Sequence, residues 1–61
     1  MTARDVEKII TKNGWFFTKQ VGSHRQYKHP TKPGKITIPF HSRPKDLNNK
    51  TVKSILTQAG L

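Results

Sequence analysis

The chain has 61 residues, enough for one small domain over residues 1–61 with a thin hydrophobic core. It contains no cysteine, which excludes disulfides and thiolate metal sites, so the fold must rely on packing or on a partner. Twelve Lys and Arg residues against three acids give a net charge of +9 and a pI near 10.6, which favours nucleic acid as that partner.

The first predicted element is a helix that starts after Thr2. Thr2 and Asp5 have the spacing of a capping box, in which each side chain accepts a hydrogen bond from the backbone of the other. Gly14 should end the helix and bring Trp15 back onto Ile10, as in a Schellman motif. The apolar stripe at three- and four-residue spacing consists of Ala3, Val6, Ile9 and Ile10.

Two strands follow, over residues 15–20 and 24–29, separated by the break at residues 21–23. We expect Trp15 and Phe17 to face the core from the first strand. Alternation with period two divides the second strand between two faces, with Arg25 and Tyr27 inward and His24, Gln26 and Lys28 outward.

Residues 30–34 are predicted to close a hairpin through a type II turn, with Gly34 supplying the positive φ. The third strand, residues 35–40, alternates its apolar side chains inward. Pro39 marks it as an edge strand because proline cannot donate to a ladder.

A polar loop over residues 41–47 should cross to a second helix, which Asn48 or Asn49 caps and Gly60 ends. Leu61 would then fold back on Leu56, as Trp15 does on Ile10. The apolar stripe of this helix consists of Val52, Ile55, Leu56 and Ala59.

This order predicts an α+β fold, α-β-β-β-α, with both helices on one face of a three-stranded antiparallel sheet. The other face stays open to solvent. On the predicted register, the open face carries His24, Gln26, Lys28, Lys35 and Thr37.

No apolar run approaches the roughly 18 to 20 residues that span a bilayer, and the first residues lead into an amphipathic segment instead of a signal peptide. The basic residues are scattered over the chain and do not form one helix face, which disfavours a membrane surface. We therefore expect a cytoplasmic protein without membrane contact.

The stretch after Gly22 indicates cleavage of a phosphodiester in RNA. His24 can give or take protons near neutrality, and RNA brings its own nucleophile in the 2′-hydroxyl. We expect the Gly22 and Ser23 amides, with Lys28 or Arg25, to lie near the phosphate. A structural role for His24, hydrogen-bonded to the turn, is the alternative.

Catalysis by the other histidines, by a metal ion or by a serine nucleophile is less well supported by the sequence. His29 and His41 have the positions of turn and loop residues, although His29 could be a second proton-transfer group. Scarce carboxylates and the histidine spacing argue against a metal site, so no cofactor is expected. A Ser23 nucleophile with His24 as base is disfavoured, because no buried acid is evident to orient the imidazole.

Among the aromatic residues, Phe16 is the candidate for stacking on a base, because it falls on the outer face. Trp15, Phe17 and Tyr27 fall on the inner face and are expected in the core. Gln26 and Lys35 complete the predicted RNA-binding residues.

Several segments together resemble the HicA family of bacterial and archaeal mRNA interferase toxins. The resemblance covers essentially the whole chain and rests on Asn13-Gly14-Trp15, Gly22-Ser23-His24, Tyr27-Lys28-His29-Pro30, Pro33-Gly34, Thr37-Ile38-Pro39 and residues 52–61, which end in Gln58-Ala59-Gly60-Leu61. It implies a double-stranded-RNA-binding-domain-like fold and a type II toxin–antitoxin pair. It also implies that the toxin cuts mRNA without the ribosome and that a HicB-type antitoxin inhibits it.

By position, the resemblance makes His24 the catalytic histidine, preceded by the turn at Gly22. Many relatives have a second histidine directly after it, whereas this chain has Arg25, whose planar fork of donors suits a phosphate. We expect the toxin alone to be a monomer.

Two other functions remain open from the sequence. A non-catalytic module of the same element order could grip RNA through its shape and 2′-hydroxyls. A DNA-binding regulator fits less well, because neither helix shows a helix-turn-helix arrangement.

Overall fold

The computed structural model describes residues 1–40 and 46–61. Its elements are α1 (Ala3–Lys12), β1 (Phe16–Val21), β2 (His24–Lys28), β3 (Ile36–Pro39) and α2 (Asn49–Gln58). The strands form one antiparallel sheet in the order β1-β2-β3, with both helices packed on one face. The predicted α+β architecture is confirmed, as is the edge position of the strand that carries Pro39. Of the predicted loop, residues 41–45, including His41, lie outside the described residues.

Both helices have the predicted caps. The Asp5 amide donates to Thr2 Oγ1 at 3.2 Å, and the Thr2 amide donates to Asp5 Oδ2 at 3.0 Å. The hydrogen bond from the Thr2 amide, and after it the interaction of the carboxyl with the Thr2 hydroxyl, hold the pKa of Asp5 below its usual value of 3.8. At the other end of α1, the Trp15 amide donates to the Ile10 carbonyl at 3.1 Å, as a Schellman motif requires. Asn48 caps α2 through its side chain.

The core lies between the sheet and the helices. Its buried side chains are Val6, Ile10, Trp15, Tyr27, Ile36, Ile38, Ile55 and Ala59. The prediction that Phe17 belongs to this core is wrong, because its side chain is 50% exposed. It lies on the helix side of β1, against Tyr27, but both helices pack over β3 and leave β1 beyond the helical layer.

A β-bulge at Thr18 interrupts the pairing of β1 with β2. Phe17 pairs with Tyr27, and the next pair is Lys19 with Gln26, so Thr18 has no partner residue of its own. The Thr18 hydroxyl instead donates to the Gln26 carbonyl at 3.0 Å. The extra residue turns Lys19 to the face opposite Phe17, where unbroken alternation would have put both on one side.

Candidate nucleic-acid interface and catalytic histidine

A two-residue turn joins β1 to β2 and sets the position of His24. Val21 pairs with His24, so Gly22 and Ser23 alone form the connection. Gly22 has φ of +59° and Ser23 does not have a positive φ, which is the pattern of a type II′ hairpin turn. Among the described residues, no heavy atom apart from those of the neighbours in sequence lies within 4 Å of the place where a Gly22 side chain would begin, so these residues leave the turn open to a ligand.

The strand register arranges the open face in three rows across the sheet. The first row pairs Phe16 with Lys28; the second contains Lys19, Gln26 and Thr37; the third contains Val21, His24 and Pro39. The predicted placement of His24, Gln26, Lys28 and Thr37 on one face is therefore confirmed. Lys35 is exposed and directly precedes β3.

Lys19 is a member of this face that the sequence pattern missed. Period-two alternation from Trp15 and Phe17 puts Lys19 on the helix side, and nothing in the local sequence marks Thr18 as a bulge. Only the pairing with β2 shows that Lys19 faces outward beside Gln26. The outward position of Phe16 agrees with the prediction, and its side chain is 48% exposed.

The open face is basic and free of carboxylates. The chain has three acids, and all of them lie elsewhere. Asp5 belongs to the cap of α1, and Glu7 contacts Tyr27 and Arg25 on the helix side. The Asp46 carboxylate lies 3.8 Å from the amino terminus of Met1. An anion on this face therefore meets cations and amides without a nearby negative charge to repel it.

Arg25 points to the opposite side of the sheet from His24. Its Nη1 donates to Glu7 Oε2 on α1 at 3.1 Å, and its guanidinium carbon lies 4.4 Å from the centre of the Phe40 ring. The expectation that Arg25 lies beside the phosphate at His24 is not supported by this geometry. Adjacent residues of a strand face opposite ways, and Glu7 gives the guanidinium a partner on the helix side.

Arg25 is instead linked to the turn that precedes His24. Its Nε donates to Gln20 Oε1 at 3.2 Å, and Gln20 Nε2 donates to the Gly22 carbonyl at 2.8 Å. A chain of hydrogen bonds thus runs from Glu7 through Arg25 and Gln20 to the Gly22 carbonyl. We call these four residues the turn-support network.

Tyr27 donates to the same Glu7 carboxylate that begins the turn-support network. Its hydroxyl donates to Glu7 Oε2, the same oxygen that Arg25 contacts. Burial and this bond raise the pKa of Tyr27 well above its usual value, so the hydroxyl stays protonated and remains a donor.

His29 lies at the far end of β2 from His24. Its Nε2 is 3.0 Å from the Asn13 carbonyl, and its Nδ1 accepts from the Thr31 and Lys32 amides at 3.1 and 3.2 Å. Two amide donors on Nδ1 leave the hydrogen on Nε2, where it donates to Asn13. The structure does not bring His29 to His24, and both of its nitrogens are occupied in tying the end of α1 to the β2–β3 connection.

Comparison with known proteins identifies the family. The model of the family described as the HicA toxin of bacterial toxin–antitoxin systems matches residues 3–61. The chain belongs to the HicA toxin family. A chain from the solved structure of a toxin–antitoxin complex from Streptococcus pneumoniae is 34% identical, with a TM-score of 0.82, and the match covers 100% of this chain and 98% of that chain. No curated protein matches the sequence.

The HicA fold presents His24 with no competing partner among residues 1–40 and 46–61, since no side chain there hydrogen-bonds to the imidazole. The side chain is exposed, so a ligand can reach it. All three acids lie away from His24, and a Ser-His-acid triad with Ser23 is therefore absent. A lone imidazole on a cationic surface can still move a proton to or from a bound phosphodiester.

The described residues of this HicA chain offer neither a metal cluster nor a membrane-spanning helix. Within the described ranges, no three His, Asp or Glu residues lie close enough together to hold a metal ion. Neither described helix is long and apolar enough to cross a membrane.

Proposed function

We propose that this HicA-family toxin is a metal-independent endoribonuclease that cleaves mRNA without the ribosome, using His24 as general acid or base. The observation that carries the proposal is the position of His24. It is exposed beside an open glycine turn, on a basic sheet face that has no carboxylate. The activity would be exercised in the cytoplasm, where mRNA is available.

The chemistry needs only the protein, the RNA and water. The 2′-oxygen attacks the adjacent phosphorus and loses its proton to a base, while the bond from phosphorus to the 5′-oxygen breaks and that oxygen gains a proton. The products are a 2′,3′-cyclic phosphate and a free 5′-hydroxyl. His24 performs one of these two proton transfers, and water or a phosphate oxygen serves in the other.

The RNA would lie along the open face. The Gly22 and Ser23 amides approach the reacting phosphate from the turn, and Gln26, Lys28 and Lys35 contact the neighbouring backbone. Hydrogen bonds and cations there stabilise the charge that develops on phosphorus. We assign Arg25 a supporting role through Gln20 and the turn instead of a phosphate contact, and His29 a structural one.

The test is cleavage of mRNA in vitro by the wild type and by His24→Gln, which keeps a polar side chain but cannot exchange protons near neutrality. We expect a loss of about 10²- to 10⁴-fold in rate, with binding to a non-cleavable RNA unchanged. EDTA should not affect the wild type. Lys53→Gln, on the exposed surface of α2, is the control. Cleavage by His24→Gln at the wild-type rate would refute the mechanism.

We infer that a HicB-type antitoxin inhibits the toxin by covering His24 and the basic face with an acidic surface. Membership of the HicA family and the similarity to a chain of a toxin–antitoxin complex support a protein partner. The charge of +9 favours an acidic one. Co-expression with a HicB-type protein should protect the face in hydrogen exchange, and inhibition with His24 still accessible would contradict this model. The toxin alone should sediment as a monomer.

A non-catalytic RNA-binding module is the second candidate. It is favoured by the lack of an orienting carboxylate near His24 among the described residues, since catalytic histidines usually have one. This function predicts salt-sensitive binding, full recovery of intact RNA, and no effect of His24→Gln on growth after induction.

A further inference from the structure

The end of the open face opposite His24 carries an aromatic side chain that the core does not use. Phe16 pairs across the strands with Lys28 and is 48% exposed. Its neighbour Phe17 is 50% exposed but lies on the helix side, edge-on to Tyr27 at 6.0 Å between ring centres. The two phenylalanines thus present similar exposed areas on opposite faces of one strand.

Cations surround Phe16 on its own face. Lys28 is its direct partner, Lys19 lies in the next row beside Gln26, and Lys35 directly precedes β3, on the far side of β2. No acid of the chain lies on this face, because Asp5, Glu7 and Asp46 all have their contacts elsewhere. An exposed aromatic ring among unopposed lysines fits a ligand that combines a flat apolar surface with negative charge, as a nucleotide does.

We propose that Phe16, Lys19 and Lys28 form a subsite for one nucleotide of single-stranded RNA, whose base stacks on Phe16 and whose backbone runs past the two lysines toward His24. The inference rests on the proposed function in taking RNA as the substrate. A base within a duplex already stacks on both sides, so only an unpaired base can use the ring.

The spacing of the rows separates this nucleotide from the one that is cleaved. Lys28 and His24 are four residues apart on β2, which corresponds to roughly 13 Å at about 3.3 Å per residue. Stacked bases of one strand are about 3.4 Å apart. The base on Phe16 therefore belongs to a nucleotide several positions from the reacting phosphate, and the subsite would select for an unpaired segment beside the cleavage point.

The test uses Phe16→Leu and its matched control Phe17→Leu, which removes an equally exposed ring from the other face. The probe is a fluorescent single-stranded RNA of mixed sequence with 2′-O-methyl groups throughout, which lacks the nucleophile and cannot be cleaved. A blunt duplex of the same sequence is the second probe. Dissociation constants come from anisotropy at several salt concentrations, and urea unfolding checks that both variants fold.

We expect Phe16→Leu to weaken single-strand binding by about 5- to 150-fold, the range for loss of one stacked base. Phe17→Leu should change it by less than twofold, and neither should alter duplex binding. Lys19→Gln should lower the slope of log K against log salt by about 0.7, whereas Lys12→Gln on α1 should leave the slope unchanged.

Equal losses for Phe16→Leu and Phe17→Leu, or an equal loss of duplex binding, would overturn the subsite. So would unchanged RNA binding combined with weaker binding of the antitoxin, which would make the patch a protein-docking surface. A failure of the proposed function would give a different result from a failure of the subsite. The wild type would then leave cleavable RNA intact, while Phe16→Leu would still weaken RNA binding.

Discussion

Arg25 and Lys28 are cations of the same strand with different surroundings. Arg25 lies on the helix side, with Glu7, Gln20 and the Phe40 ring as partners. Lys28 is exposed on the open face, directly across from Phe16. A cation with fixed protein partners stabilises the fold, whereas an exposed one is available to an anionic ligand.

Arg25→Lys keeps the charge but loses the fork that spans Glu7 and Gln20. The guanidinium is 35% exposed and Glu7 23%, so we discount the usual value of a charged hydrogen bond and expect a loss of about 1 to 2 kcal/mol in unfolding free energy. The turn before His24 loses its support, and kcat should fall while RNA affinity and its salt slope stay constant. Urea unfolding and single-turnover cleavage measure these effects.

Lys28→Gln is the matched control for Arg25→Lys. It should leave stability within about 0.5 kcal/mol and reduce the salt slope of RNA binding by about 0.7. If Arg25→Gln, which removes the charge, lowered the salt slope as much as Lys28→Gln does, Arg25 would be a phosphate contact after all.

At the residue scale, the sequence placed His24 correctly because alternation in β2 is unbroken from its first residue. It could not assign Arg25 a partner, because Glu7 is 18 positions away and becomes a neighbour only when α1 packs on the sheet. The same holds for His29, whose contact with the Asn13 carbonyl spans 16 positions. Local patterns report the face of a residue, whereas its partners depend on tertiary packing.

At the scale of the elements, the glycine that follows α1 is required both for its backbone conformation and for the space that it leaves to His29. Gly14 has φ of +97°, and a side chain there would begin 2.7 Å from His29 Nε2. Gly34 has φ of +81°, and in the part of the chain that the structure describes no heavy atom other than those of its neighbours in sequence lies within 4 Å of where its side chain would begin. Alanine costs about 1 to 2 kcal/mol in the left-handed region at either site, and only Gly14→Ala adds a clash, worth about 1 to 3 kcal/mol more.

We therefore expect Gly14→Ala to unfold at a distinctly lower urea concentration than Gly34→Ala, with unchanged m-values. Equal midpoints would mean that His29 moves aside at no cost and that its contacts do not fix the end of α1.

The start of α1 gives a pH dependence. The folded pKa of Asp5 lies below its usual value of 3.8, so its contribution to stability is complete above that pH and is lost as the pH falls through the folded pKa. Asp5→Asn lacks this contribution at every pH. Thermal midpoints of the two proteins should differ at pH 6 and converge as the pH falls through the folded pKa of Asp5. A constant difference across this range would show that Asp5 acts without its charge.

The sequence predicted every helix cap but not the bulge in β1. Caps depend on residues within one turn of each other, and Thr2, Gly14, Asn48 and Gly60 all carry recognisable signals. The bulge depends on how β1 meets β2, and Thr18 is an ordinary strand residue. The prediction that Phe17 lies in the core was wrong for a related reason. Alternation predicts which side of the sheet a residue faces but not how far the helices extend over that side.

On the scale of the whole molecule, stability rests on few side chains. A domain of this length has roughly 3 to 9 kcal/mol in total, at about 0.05 to 0.15 kcal/mol per residue. Ile55, 3% exposed, is one of the two buried residues that the α2 end of the chain contributes to the core. Ile55→Ala should cost about 2 to 5 kcal/mol.

This loss should leave a measurable unfolded population at 37 °C, seen as reduced ellipticity and faster proteolysis. Ser54→Ala, on the exposed side of the same helix turn, should unfold like the wild type. A fully folded Ile55→Ala protein would show that α2 is dispensable for the core.

The bulge at Thr18 also affects the tendency of the protein to aggregate. Among the described residues, β1 is an edge strand with two half-exposed phenylalanines, and a flat strand of that kind would template pairing with a second copy. The unpaired residue twists the strand, and Lys19 directly after it brings a charge to the edge. With +9 on every molecule, copies also repel one another. The same irregularity that turns Lys19 to the open face thus disfavours edge-to-edge pairing between copies of the toxin.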